Sequence, residues 1–357
     1  MRGAALTTVL SFAFLAAFTP AARAEGDGPR ALMDRGRMRD AAAAADARLR
    51  SAPDDLEALC VLSRLRARQQ RYDEATRLAE HAVATSPKSA DAHYALAEVS
   101  GTQAQHAGVF KQMSLGRRFK KEDDAALALD PHHVDAMEAM IEFYTSAPGM
   151  LGGDRQKAAA LTEELVKVNP TEGWLQKAQN AFAAKDSISG ETCLRKAAEL
   201  GGGDAKLALA NRLAQPWRKP DEAERLARDV ATAEPWRTGA WSVLAMRDAM
   251  AKRWPELDAT LAESEKAVPG NLGPHYQAAR VLITSGGEPA RAEALLRRYL
   301  SVEPEIGQPS WAAAHWRLGL ALEQEGKKAD ARAEVETALK LDPSLDAAKK
   351  DLERLGH

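Results

Sequence analysis

LEALCVLSRLRARQQRYDEATRLAEHAVATSPKS, residues 56–89, holds the reading that decides the fold. Leu59, Leu62 and Leu65 recur every three residues; after the polar stretch Gln69-Gln70-Arg71, Ala75, Leu78, Ala79 and Ala82 recur at three and four. Each run lays its apolar side chains along one face of a helix, so the stretch is two amphipathic helices joined by a turn. Small alanines at fixed places let the two helices approach closely. Pro87 then stops the second helix, because proline has no amide hydrogen for the interior ladder.

The same punctuation runs through the chain. Pro53, Pro87, Pro131, Pro170, Pro235, Pro269, Pro304 and Pro343 form a ladder whose steps 53 to 87 and 235 to 269 are 34 residues, and 269 to 304 is 35. A fixed period of this size marks a stacked array of helix pairs. Helix starts are marked too: Pro220-Asp221-Glu222, Pro255-Glu256 and Pro289 put proline or acids in a first turn, where a missing N–H costs nothing and the helix dipole favours negative charge.

Aligned on the prolines, the units bring like residues into register. Leu62, Tyr72, Ala75, Ala82 and Pro87 are followed by Pro220, Ala223, Val230 and Pro235, by Trp241, Leu244, Trp254, Leu257 and Pro269, and by Leu318, Gly319, Gly326, Ala331, Ala338 and Pro343. These residues resemble the tetratricopeptide repeat, best in units 56–89, 238–271 and 312–345. The fold expected is all-α, a right-handed α-solenoid of about nine tetratricopeptide-like helix pairs plus a C-terminal capping helix. The pairs end near 53, 87, 131, 170, 202, 235, 269, 304 and 343, and the polar last helix, Leu345 to Leu355, shields the end of the core. The array runs continuously over 30–355, with no linker long enough to divide it.

Departures from the period locate what is particular to this chain. Pro87 to Pro131 is 44 residues, an elongated pair over 90–131. Pro131 to Pro170 is 39, with a surplus loop at 146–154, Ser-Ala-Pro-Gly-Met-Leu-Gly-Gly-Asp. Pro304 to Pro343 is also 39, with the extra residues at 305–309. Insertions in a stacked array become loops or protrusions. Met150 and Leu151 form an apolar loop tip that either docks a partner or folds back over a helix end. The loop looks like inserts in exported bacterial tetratricopeptide proteins. The unit ending at Gly201-Gly202-Gly203 lacks its proline and is the candidate bend.

Residues 1–24 read as a secretory signal peptide: Arg2, the apolar run Ala4 to Phe18, Pro20, then Ala22-Arg23-Ala24. At about 15 residues the run is short for a spanning helix, so cleavage is expected and no stable membrane insertion afterwards. Residues 25–29 read as a leader. Loss of Arg2 and Arg23 takes 49 bases against 51 acids to 47 against 51, a formal charge of −4. Nothing there favours nucleic acid. Cys60 and Cys193 lie about four units apart, too far to pair where neighbours touch only neighbours. Cys60, among small apolar residues, reads as packing rather than a reactive thiol.

No phosphate loop, nucleophile elbow or His-Glu-x-x-His motif is present, so no enzyme and no cofactor is expected. Gly201 to Asp204 opens a helix but follows no strand and reads as a turn. His132, His133 and Asp135, with Glu138 and Glu142 on one helix face, offer two readings: a metal- or solute-binding accessory of a transport system, or a solvated turn with an acidic face.

The family resemblance implies a concave surface made by first-helix residues. Carried over unit by unit, these are Arg64 and Arg68, Tyr94 and Glu98, Glu138 and Glu142, Arg212, Ser242 and Met246, Tyr276 and Arg280, Trp316 and Glu323. Such a groove implies a protein or peptide partner anchored by Tyr, Trp and Arg. The Lys and Asn of carboxylate-clamping repeats are replaced here by Cys60 and Arg64, Tyr94 and Glu98, which disfavours chaperone-tail binding.

Overall fold

The structure, a computed structural model, describes residues 28–214 and 218–356; the expected signal peptide and Glu25, Gly26 and Asp27 of the leader lie outside them. Among the described residues the regular elements are helices, paired in chain order. The first four pairs are α1 (Pro29–Asp34) with α2 (Met38–Ser51), α3 (Leu56–Arg68) with α4 (Tyr72–Thr85), α5 (Ala90–Gln105) with α6 (Val109–Leu129), and α7 (Val134–Ser146) with α8 (Arg155–Val168). Next come α9 (Pro170–Ala183) with α10 (Ser187–Leu200), α11 (Gly203–Ala214) with α12 (Pro220–Ala233), and α13 (Thr238–Met250) with α14 (Trp254–Ala267). The array ends with α15 (Gly273–Ser285) and α16 (Pro289–Leu300), α17 (Trp311–Gln324) and α18 (Lys328–Leu341), then the single helix α19 (Asp346–Leu355).

The prolines act as read. Pro87, Pro131, Pro235, Pro269 and Pro343 each stand two residues beyond the last residue of a second helix. The residue before each is barred from the helical region, as at Ser86, with φ −133° and ψ 63°. Next helices open on side-chain caps: Asp55 accepts from the Ala58 N–H, Ser89 from Ala92 and Ser310 from Ala313.

Helix pairs pack on rows of small residues. Ala75, Ala79 and Ala82 of α4 are fully buried, as are Ala331, Val335 and Ala338 of α18. At Gly319 a β-carbon would stand 2.6 Å from Val335 Cγ2 and 3.0 Å from the Ala331 carbonyl, so only glycine permits that approach. Odd-numbered helices also pack directly on one another, α3 on α5, α5 on α7, α9 on α11, α11 on α13, α13 on α15 and α15 on α17. The even-numbered helices do not pack on one another in this way. The stack therefore curves with the odd helices inside.

One step differs. Between α8 and α9 the four-residue connection that carries the proline elsewhere, as in Ser86 to Ser89, Asp130 to His133 and Glu234 to Arg237, shrinks to Asn169 alone, because Pro170 itself opens α9 and Asn169 both ends one helix and caps the next. Gly173 makes this tight turn possible: a β-carbon there would lie 2.4 Å from Val166 Cα. The sharpest connection thus precedes the unit read as the bend, rather than following it at Gly201.

The insertion at 305–309, expected as a loop or protrusion, is neither free nor outward. It folds against the first helix pair, where Ile306 packs on the cluster of Leu32, Met33, Ala41 and Leu65. The Arg39 N–H donates to Glu305 Oε1 at 2.7 Å, across 266 positions of sequence. Arg39 Nη1 also donates to the Glu303 carbonyl. The curvature therefore brings the last third of the array back onto its start. The expected leader ends sooner than read, since Pro29 already begins α1.

Candidate functional site

The inner surface is built from one repeated position. Arg64 of α3 and Glu98 of α5 are 34 residues apart; so are Arg212 of α11, Met246 of α13 and Arg280 of α15. Contacts of these side chains run from odd helix to odd helix. Arg64 Nε pairs with Glu98, its Nη1 lies 3.7 Å from Asp135 Oδ2 of α7, and its guanidinium covers the Tyr94 ring at 5.2 Å. Arg68 reaches Glu98 Oε1 at 3.5 Å. Burial opposes the charge of Arg64, yet Glu98 and Asp135 outweigh it and raise the pKa above the ordinary arginine value.

This N-terminal half of the surface is closed on itself. Tyr94 is buried, and desolvation pushes its hydroxyl well above the usual tyrosine value. Its ring sits 5.1 Å from that of His133. Helix α1 lies across the edge where the odd helices begin. The Arg30 N–H donates to Glu57 at the start of α3 at 2.9 Å, Arg30 Nη2 donates to Asp135 Oδ2 at 3.4 Å, and Arg35 lies over the Trp236 ring at 5.9 Å just before α13. A cleft of about 400 Å³ remains there, bounded by Arg35, Met38, Arg68, Trp236, Asn271 and Gln308 among others.

Acids follow. Burial first, then the neighbouring carboxylate of Glu172, push Glu138 well above the carboxylate range, and Asp135 and Asp204 act in the same direction. Glu172 is raised as well, by burial first, while its hydrogen bond with Glu138 and the nearby Arg237 favour its charged form. Glu142 is exposed.

The C-terminal half is different. Arg212 lies 4.7 Å over the Phe182 ring and its buried Nε has no hydrogen-bond partner. Arg280 donates from Nε to Gln277 Oε1 at 2.9 Å and from Nη2 to Met246 Sδ at 3.6 Å. Neither meets a carboxylate among the described residues. Ser242, one turn before Met246, keeps its hydroxyl on the Thr238 carbonyl.

Three expected anchors are otherwise engaged. Tyr276 is buried against Tyr299 at 5.3 Å and belongs to the core. Trp316 Nε1 donates to Asp351 Oδ2 at 2.7 Å and Glu323 pairs with Arg354. These two hold α19 in the place where another unit would stack, so they are not open to a partner.

The expected metal candidates do not converge. His133 caps α7 through Nδ1, which accepts from the Ala136 N–H, while Nε2 faces Asp91 Oδ1 at 3.2 Å. Asp135 faces Arg64 and Arg30, and His132 is exposed. Among the described residues no three His, Cys, Asp or Glu side chains gather to hold an ion. Cys60 is buried and its thiol is pushed up to about 12 by desolvation, so it is inert packing.

At the outer edge the 146–154 loop winds through a 3-10 turn, Gly149–Leu151, into the α8 cap at Asp154, which accepts from the Gln156 and Lys157 N–H groups. Met150 is 84% exposed and Leu151 half-buried. Sequence reading passed over Phe110, 87% exposed at the start of the long α6, and Asp123 inside the same helix. Asp123 is fully buried with neither carboxylate oxygen hydrogen-bonded, and desolvation, then Asp124, push it up to about 8. An acid on the apolar stripe of a helix was its only sequence signal.

Residues 50–167 match the family model described as Regulator of microtubule dynamics protein 1-3, and residues 276–346 match the Tetratricopeptide repeat model. No curated protein sequence matches the chain. Among solved structures, a chain of the APC/C hetero-tetramer Cut9-Hcn1 is 12% identical with a TM-score of 0.45, over 89% of this chain and 59% of that one. This chain thus spans under two thirds of that relative's length. Yeast Tom70 is 12% identical with a TM-score of 0.48, over 92% of this chain and 87% of that one. With helix pairs stacked at a 34-residue period, the chain is an α-solenoid, and its residues 276–346 are tetratricopeptide repeat by the model they match.

Proposed function

We propose that the protein is an exported, non-enzymatic scaffold of the cell envelope that binds a protein or peptide partner on the inner face of its C-terminal half, over α11, α13 and α15. The observation that carries this reading is the row Arg212, Met246 and Arg280, one repeat apart on adjoining inner helices, in which neither guanidinium group meets a carboxylate among the described residues. Cations left without a counter-charge on a concave wall are what a partner's carboxylates can satisfy. Tagged protein recovered from the native envelope, native beside the Arg212→Ala/Arg280→Ala variant, tests it. Loss of a co-purifying protein with the variant is expected. Equal recovery with both would remove this face from the function.

A further inference from the structure

The buried and half-buried Lys and Arg side chains divide into two sets. Arg64, Arg195, Arg237, Arg247 and Arg253 each meet a carboxylate. Those with none among the described residues are Lys206, Arg212, Arg280 and Arg317, all on α11, α15 and α17. Acids are plentiful in the chain as a whole: 51 Asp and Glu stand against 49 Lys and Arg. A run of unmatched cations on inner helices is therefore local, not a consequence of an overall basic chain.

We infer that the ligand of this face is an acidic peptide segment in extended form, carrying two carboxylates about six residues apart with an apolar side chain between them. The spacing follows from the stack. Neighbouring inner helices lie roughly 9 Å apart, so Arg212 and Arg280, two helices apart, are separated by roughly 18 Å. An extended chain advances about 3.3 Å per residue, which places about six residues across that span. Arg212, fixed over Phe182, presents donors from a planar fork that suits bidentate capture of a carboxylate. Arg280, steadied by Gln277 and Met246, does the same at the other end. Met246, buried between them, supplies an adaptable apolar floor. The carboxylate of Glu172 in the first turn of α9, farther along the array, disfavours the same ligand there.

This inference rests on the scaffold reading and names its ligand chemistry. The test uses fluorescein-labelled nonapeptides with two Glu, two Gln or two Lys placed six residues apart and a Leu four residues after the first of them, on the same face of an extended chain, titrated into the full chain by anisotropy. The Glu peptide is expected to bind, more weakly as salt rises, and the Gln peptide to bind at least roughly tenfold more weakly, one charge-assisted contact being worth about that factor. Arg212→Ala/Arg280→Ala abolishes the preference, and Arg212→Lys/Arg280→Lys restores part of it. Arg212→Gln/Arg280→Gln, which keeps side-chain volume, replaces the alanine variant should that one misfold. Equal affinity for Glu and Gln peptides overturns the inference. Preference for the Lys peptide, lost in Glu138→Gln/Glu172→Gln, overturns the acidic class while a groove-binding scaffold stands. No peptide bound, with undiminished envelope capture by the double arginine variant, overturns both.

Discussion

Arg64 and Arg280 occupy equivalent places on the inner helices of the two halves, and their surroundings differ in one respect. The residue one repeat after Arg64 is Glu98; the residue one repeat before Arg280 is Met246. In the first half the guanidinium is buried in an ion pair, backed by Asp135 and Tyr94, and α1 crosses the edge of the stack beside it. In the second, a thioether takes the carboxylate's place and the charge meets no carboxylate among the described residues. One repeat position thus serves structure in one half and is left available in the other. What separates the two is the side chain on the adjoining helix, since the helices themselves are alike.

The sharpest way to break this comparison is to remove each arginine in turn. Arg64→Ala leaves the half-buried Glu98 with only the more distant Arg68 and should cost roughly 2–4 kcal/mol in denaturant unfolding, because a partly desolvated carboxylate loses its nearer counter-charge. Arg212→Ala and Arg280→Ala should each cost under about 1 kcal/mol, having no carboxylate to strand. Equal losses in both halves would show that the two arginines play the same part. A unit-by-unit array does not unfold strictly in two states, so the midpoints are best followed with hydrogen exchange on each helix.

Next in size is the contact that closes the first half. Arg39→Ala with Ile306→Ser removes the guanidinium hydrogen bond to the Glu303 carbonyl and the apolar contact on Leu32 and Met33, and leaves the backbone N–H bond to Glu305 in place. Faster exchange of α1 and α2, equivalent to about 1–2 kcal/mol of local opening, is expected, with α13 and α15 unchanged. Exchange that rises evenly along the chain would mean that the seam supports the whole stack rather than one end.

A titration distinguishes the halves too. Asp123 of α6, facing Asp124, Lys120 and His133, titrates near 8 in the folded chain; an unfolded aspartate titrates near about 4. Glu138, facing Glu172, Asp135 and Asp204, is also raised. Both groups keep protons that the unfolded chain releases, so stability should fall as pH rises from about 4 through 8. Asp123→Asn should flatten that fall, most visibly for exchange in α5 to α7. A stability that climbs with pH over the same window would contradict the burial of Asp123. The smallest effect is expected from Met150→Ser at the exposed loop tip, within about 0.5 kcal/mol of native stability; a larger loss would mean that the tip packs somewhere.

Much of the fold is legible in the sequence because a helix pair is a local object. Leu59, Leu62 and Leu65 sit within two turns, and Pro87 acts on the residues immediately before it. Part of the inner surface was legible as well: Arg64 and Glu98, 34 residues apart, could be matched as a pair by asking what stands one repeat away, and Arg212 with Met246 by the same question. Tyr276, Trp316 and Glu323 misled because register places a residue on the inner helix without saying what its neighbours are. Tyr299 and the last helix claim all three.

By itself, then, the sequence determined the period, the helix pairs and their ends, since these depend on spacing, proline and capping over a few residues. Only the tertiary structure decided that 305–309 turns inward onto α1 and α2, that α8 meets α9 without a loop, and which inner cations remain unmatched. Those outcomes depend on small rotations added from unit to unit. Their sum brings Arg39 to Glu305 across 266 positions, and no local pattern records a sum.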